Sequence, residues 1–208
     1  VLQYLIRKHP DKNEIIINED LETKETYCKQ VKKAISVIKS SNASKIVLSR
    51  KKEIDLKQFD ISILIKRLLN LYPNAFRYIW YHPQTGFWCG ASPEVLLEME
   101  RISFATMALA GTQRVKKDAI PYWNFKELNE QKIVVDSIAA SLQKVASVIR
   151  TSETYNYQAA SLVHLRTDIT GTLKEGKNTL SMIASILHPT PAVCGTPQDY
   201  AKSYILDN

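Results

Sequence analysis

Strand candidates bunch in the middle of this 208-residue sequence, and that clustering restricts the fold more than any other feature. Phe76–His82 and Phe87–Cys89 flank the turn-forming Pro83-Gln84-Thr85-Gly86, which predicts a β-hairpin. Val95–Glu100 and Ile102–Leu109 follow as further strands, and 161–173 reads as another. Helical patterns are interspersed. Residues 24–41 place Tyr27, Val31, Ala34, Ile35 and Ile38 on one face, and a helix carrying Ile61, Leu64, Ile65, Leu68 and Leu69 stops before Pro73. The period is clearest over 126–149, with Leu128, Val135, Ile138, Leu142, Val145 and Ile149 in a stripe, and Leu180–Leu187 reads as a short helix. Lys45–Ile54 predicts a strand that opens on Ile46-Val47-Leu48. Thr196-Pro197-Gln198-Asp199 reads as a helix start, with a hydroxyl cap, proline in first position and an acid in the first turn. Bunched strands with helices among them predict an α+β fold of largely antiparallel sheets flanked by helices. No linker-like shift in composition divides residues 1–208, so a single domain is expected.

Composition removes several functional classes. The sequence holds 28 basic and 21 acidic residues, a formal charge of +7, but the bases do not form a block. Lys29, Lys32, Lys33 and Lys39 fit the wet face of a helix, while Lys51, Lys52, Lys116 and Lys117 fall near strand ends or turns. A nucleic-acid footprint needs clustered charge, so no nucleic-acid partner is expected; a small anionic substrate would still profit from the positive field. No apolar run reaches the length of a membrane span, and the N-terminus lacks a signal-peptide pattern, so no membrane partner is expected. Cys28, Cys89 and Cys194 are odd in number and lack CxxC spacing, which points away from a disulfide framework or zinc site and towards a cytoplasmic setting.

The segment Ile186–Pro197, ILHPTPAVCGTP, concentrates proline and glycine in a way a plain connection does not need. Other short stretches carry candidate chemistry. Lys45 opens an apolar strand, where a lysine is ordinarily a surface group; desolvated, it would have a lowered pKa and act as a base. Glu94 follows Ser92-Pro93 and is ordinarily a strand-end carboxylate; buried, it would keep its proton and serve as a general acid. Gly111-Thr112 fits a tight turn whose backbone N–H groups can approach an anion. Glu130 alone is a helical acid beside Glu127, and His164 alone is a strand histidine.

Taken together, KIVLSR (Lys45–Arg50), GASPEVLLE (Gly90–Glu98), LAGT (Leu109–Thr112) and HPTPAVCG (His188–Gly195) resemble, in that order, the chorismate-utilising enzymes. That family contains the isochorismate, salicylate, anthranilate and aminodeoxychorismate synthases. EQKIVVDSI (Glu130–Ile138) is similar to the family's EHxxVV segment, and VHLRT (Val163–Thr167) matches as well. The resemblance covers about residue 24 to the end of the sequence.

The resemblance implies an isochorismate synthase of the menaquinone or siderophore type, dependent on Mg²⁺. Lys45 would remove a proton from water attacking C2 of chorismate, and Glu94 would protonate the departing C4 hydroxyl. Glu130 matches the family's magnesium-binding glutamate. Gly111, Thr112, His164, Thr167, Ala192, Val193 and Gly195 fall in segments that bind the substrate, and the proline loop is expected to wall the pocket beside the nucleophile. Ala192 stands where ammonia-using members carry threonine, Lys45 is a lysine where they usually lack one, and Ala110 replaces a lysine of many aminodeoxychorismate synthases. All of these favour water as the nucleophile. The nearest alternative in the class is a salicylate synthase, and the alternative outside it is a catalytically silent binding module. The family's catalytic domain also continues past the end of this sequence, with a second magnesium glutamate and a carboxylate-binding arginine and lysine. The sequence is therefore read as a fragment, expected to turn over chorismate weakly or not at all.

Overall fold

A computed structural model describes residues 21–40, 42–50, 59–115, 120–176 and 179–208. The elements, in order, are α1 (Leu21–Lys39), β1 (Lys45–Ile46), α2 (Ile61–Leu71), β2 (Phe76–His82), β3 (Gly86–Ser92), β4 (Glu98–Glu100), β5 (Ser103–Arg114), α3 (Phe125–Gln143), β6 (Ala146–Thr151), β7 (Tyr155–Ala159), β8 (Leu162–Leu173), α4 (Leu180–Leu187), β9 (Gly195–Thr196) and α5 (Gln198–Asp207). Packing separates the described residues into two compact units, one drawn from the stretches 1–26 and 50–93 and the other from 27–49 and 94–208.

The larger unit is built on a five-stranded sheet of order β4-β5-β8-β6, with β7 also paired to β8, and every pairing is antiparallel. Along β8 the side chains alternate. Val163, Leu165, Thr167, Ile169, Gly171 and Leu173 are buried, while His164, Arg166, Asp168 and Thr172 are half-buried and Thr170 is exposed. Ile169 and Leu173 of this set join Phe104, Ala108 and Ala110 of β5 in a core with Val134, Ile138 and Leu142 of α3 and Ile183 and Leu187 of α4. Burying each of these large side chains contributes about 1.5–3 kcal/mol, which makes α3 on the sheet the main source of cohesion.

Helix α3 starts where local chemistry dictates. Asn124 Oδ1 accepts from the N–H of Lys126 at 2.9 Å and of Glu127 at 3.3 Å, and Glu127 Oε2 accepts from Asn124 N at 3.2 Å. This is a reciprocal capping box. The helix ends at Gln143, earlier than the predicted 149, because Val148 and Ile149 enter β6 opposite Thr172 and Gly171. β-branched residues pack well on a pleated surface and lose rotamer freedom in a helix. The helix's buried face is Gln131, Val134, Ile138 and Leu142, so the expected stripe was set partly off the core and Leu128 is 49% exposed.

Other expectations were corrected. Strand β4 keeps only Glu98–Glu100 of the predicted Val95–Glu100, and β5 extends past Leu109 to Arg114. Strand β1 is confined to Lys45–Ile46, Val47–Arg50 is irregular, and the rest of the predicted Lys45–Ile54 strand lies outside the described residues. Strand β7, with its polar Tyr-Asn-Tyr-Gln-Ala sequence, was not anticipated. At α5 the N-cap is Pro197, without any side-chain hydrogen bond, and not Thr196. Thr196 is committed to β9 instead, and its Oγ1 is buried without a partner among the described residues.

In the smaller unit, Asp60 caps α2 by accepting from Ser62 N at 2.7 Å and Ile63 N at 3.3 Å. The predicted hairpin is present with residue-for-residue pairing from Phe76↔Ser92 to His82↔Gly86. Trp80 and Trp88 face each other across it with ring centroids 6.1 Å apart, and Arg77 Nη1 donates to Leu69 O at 3.1 Å.

Candidate functional site

Lys45 is held by a very short ladder. Strand β1 pairs antiparallel with β9, Lys45 opposite Thr196 and Ile46 opposite Gly195. The pairing is extended at both ends, since Ser44 N donates to Thr196 O at 2.8 Å and Val47 N to Cys194 O at 2.7 Å. Gly195 is the pivot. Its φ of 148° is open to glycine, and a Cβ there would lie 2.2 Å from the Lys45 carbonyl oxygen and 2.8 Å from Ala201 Cβ. Only a residue without a side chain lets the proline loop come this close to the lysine's backbone.

The loop is itself tied down. Thr190 O accepts from Val193 N at 3.1 Å and Cys194 N at 3.0 Å, and Gln198 Nε2 donates to Pro189 O at 3.0 Å. Ala192 packs against the core, whereas Val193 is 57% exposed. The glycine and prolines of ILHPTPAVCGTP therefore build the strand that holds Lys45.

From β1 the Lys45 side chain reaches α3, where its Nζ lies 2.9 Å from Glu130 Oε1. The pair is partly withdrawn from solvent, with side chains 12% and 32% exposed. Glu94, in the connection leading to β4, is part-buried. Burial pushes its carboxyl above the ordinary carboxylate range, and the charge of Lys45 opposes part of that rise. A carboxyl in such surroundings holds its proton to higher pH than a solvated one, as a general acid must. Lys45 thus interacts with both acids, by direct pairing with Glu130 and through its field at Glu94.

A second cluster forms where β5 departs from regular pairing. Its register with β8 shifts between Ala110 and Gln113, so that Gly111 and Thr112 bulge outward. Gly111 adopts a left-handed φ of 67°. His164 Nδ1 lies 3.0 Å from Gly111 O and 3.1 Å from Thr112 Oγ1. A carbonyl can only accept, so Nδ1 is the donor to Gly111 O. The Gly111–Thr112 turn and His164 are therefore one hydrogen-bonded group.

Thr167 stands apart from it. On β8 it is three residues from His164, an odd number, and so points to the opposite face of the sheet. It is 2% exposed, and its Oγ1 meets Gln131 Nε2 at 3.1 Å and Thr154 Oγ1 at 2.8 Å. Gln131 Nε2 also donates to Ala108 O at 3.0 Å. This buried network clamps α3 to β5 and β8 one residue away from Glu130. Neither Gln131 nor Thr154 was singled out in the sequence; the only available signal was a polar residue on the apolar face of a helix.

As a cation site, these residues offer a single carboxylate. No group of three His, Cys, Asp or Glu side chains converges among the described residues. Glu130 is a hard oxygen donor and one-third exposed, which suits Mg²⁺, an ion that keeps several waters and uses few protein carboxylates alongside ligand oxygens. The donor set fits such an ion only as one ligand among several.

Known proteins with this sequence pattern and geometry can now be compared. The profile of the family described as chorismate binding enzyme matches residues 2–208. The chain belongs to that family. Isochorismate synthase MenF of Bacillus subtilis is 31% identical over 210 residues, covering 95% of this chain and 44% of its own. Isochorismate synthase EntC of Escherichia coli K12 is 27% identical over 192 residues, covering 88% of this chain and 49% of its own. The solved structure of DhbC from Bacillus anthracis, described as a 2,3-dihydroxybenzoate-specific isochorismate synthase, superposes with a TM-score of 0.79 at 28% identity, over 88% of this chain and 52% of that one. Anthranilate synthase component I of Streptococcus pneumoniae, at 19% identity and a TM-score of 0.72, shares the fold. The chorismate binding enzyme reading of the motifs and the α+β fold are both supported, and the chain spans about half the length of the curated relatives it matches.

Proposed function

We propose that this protein takes part in the Mg²⁺-dependent conversion of chorismate to isochorismate. The observation that carries the reading is the place of Lys45, paired with Glu130 and acting through its charge on Glu94, whose carboxyl is pushed upward by burial. Lys45 takes a proton from the water whose oxygen bonds to C2. The ring double bonds shift, the C4–oxygen bond breaks, and Glu94 delivers its proton to the departing hydroxyl, which leaves as water. One water enters and one leaves, so the change is an isomerisation. The lysine and the glutamate exchange roles in reverse, as acid and base must.

Glu130 is the residue of this chain that would hold Mg²⁺, and the bound ion would supply positive charge to the carboxylate of the substrate. The hydrogen-bonded Gly111–Thr112–His164 group is suited to a polar oxygen of the ligand. Ala192 contributes only a methyl group, which leaves room for water and no donor to position an amine. Relatives described as menaquinone-specific and as vibriobactin-specific both carry the isochorismate synthase name, so the product would feed a quinone or a siderophore. We assign the protein to the cytoplasm; no helix among the described residues is long and apolar enough to cross a membrane.

The test is chromatography of the whole gene product incubated with chorismate and Mg²⁺. Isochorismate as the product supports the reading. Salicylate with released pyruvate would move the protein to the salicylate synthases, and no product from a folded protein would leave only a binding role.

A further inference from the structure

The Lys45–Glu130 pair sets up a conflict within the site. An ammonium 2.9 Å from Glu130 Oε1 and a divalent cation on the same carboxylate, with oxygen ligands at about 2.0–2.1 Å for Mg²⁺, would repel each other at close range. We infer that Lys45 and the divalent cation compete for Glu130, so that Lys45 sets the affinity of the cation site and the arriving ion detaches Lys45 from Glu130. This inference rests on the assignment of Glu130 to Mg²⁺ made above.

The scaffold decides which partner must move. Glu130 cannot retreat with its helix, because the neighbouring Gln131 is 2% exposed and bonded to both Ala108 O and Thr167 Oγ1. The backbone of Lys45 cannot retreat either. It is fixed by the pairing with Gly195 and Thr196 and by the hydrogen bonds of Ser44 and Val47 on either side. The side chains remain free to turn, and of these the lysine's four-carbon stem has the longer reach. A bound cation repels the ammonium and swings it away from Glu130 and α3. The cation then does more than bind: it frees the Lys45 side chain from Glu130. Partial burial of the pair leaves this exchange less screened by solvent than at an exposed ion pair.

Competition makes a prediction that a mere structural ion pair does not. Deleting the charge of Lys45 should tighten cation binding in the absence of substrate. The experiment titrates the whole gene product with Mn²⁺, following the free ion by electron paramagnetic resonance, and with Mg²⁺ by calorimetry. Lys45→Met is expected to bind Mn²⁺ about tenfold more tightly than the unmodified protein, Lys45→Arg to stay close to it, and Glu130→Gln to bind about tenfold more weakly. Lys45→Gln, uncharged but polar, carries the same expectation as Lys45→Met and replaces it should that variant not fold. Unchanged or weaker binding by the uncharged variants, with Glu130→Gln still impaired, would overturn the competition and leave the Mg²⁺ assignment standing. Undiminished binding by Glu130→Gln, or no binding by any of the proteins, would overturn both.

Discussion

Lys45 and Glu130 meet at 2.9 Å, yet they are delivered by two very different scaffolds. Glu130 rides on a nineteen-residue helix whose Val134, Ile138 and Leu142 are buried against a five-stranded sheet. Its position is over-determined by packing, by a capping box and by the Gln131–Thr167–Thr154 hydrogen bonds. Lys45 comes from a strand of two residues, paired with another of two, where the decisive contact is the absence of a side chain at Gly195. One side of the site is secured by buried area and the other by a single close approach of backbone. Disturbing the first should lower stability alone, while disturbing the second should also misplace a reacting group.

Gly195→Ala is where that contrast is expected to be largest. The added methyl meets the Lys45 carbonyl at 2.2 Å in a backbone conformation that disfavours a Cβ, so the ladder must open. A loss of about 2–3 kcal/mol in stability is expected, with kcat reduced about a hundredfold as Lys45 shifts. Melting curves and steady-state kinetics on the whole gene product check both, and unaltered turnover would show that the ladder does not position the lysine. A smaller effect of the opposite kind is expected from Thr167→Val. Removing the hydroxyl leaves Gln131 Nε2 one acceptor short in a buried place and should cost about 1–2 kcal/mol of stability, with KM for chorismate nearly unchanged. A raised KM with unaltered melting temperature would instead make Thr167 a ligand to the substrate, as the family resemblance implied.

Much of the fold was legible because it is locally encoded. The Pro83–Gly86 turn fixed the hairpin, Pro73 closed α2, and β8 falls within the predicted strand 161–173. The misreadings have physical causes. Val145–Ile149 continues the apolar period of α3, but its β-branched residues find a better partner in the edge of β8. Strand β7 is polar and declares itself only through its pairing with β8. The site divides in the same way. Motif resemblance located Lys45, Glu94, Glu130 and the Gly111–Thr112–His164 group, and period-two alternation alone separates Thr167 from His164. The β1–β9 ladder could not be read, since two-residue strands carry no pattern and their partner lies at the far end of the chain. Nor could the network around Gln131, which exists only once α3 lies across β5 and β8.

The claim on which the account depends is that Lys45 is the base. It is tested most directly by comparing turnover of chorismate by the whole gene product with that of its Lys45→Ala variant, with substrate binding measured in parallel by calorimetry. The account predicts a fall in kcat of about a thousandfold, with chorismate still bound by the variant. Turnover within a few fold of the unmodified protein would contradict it.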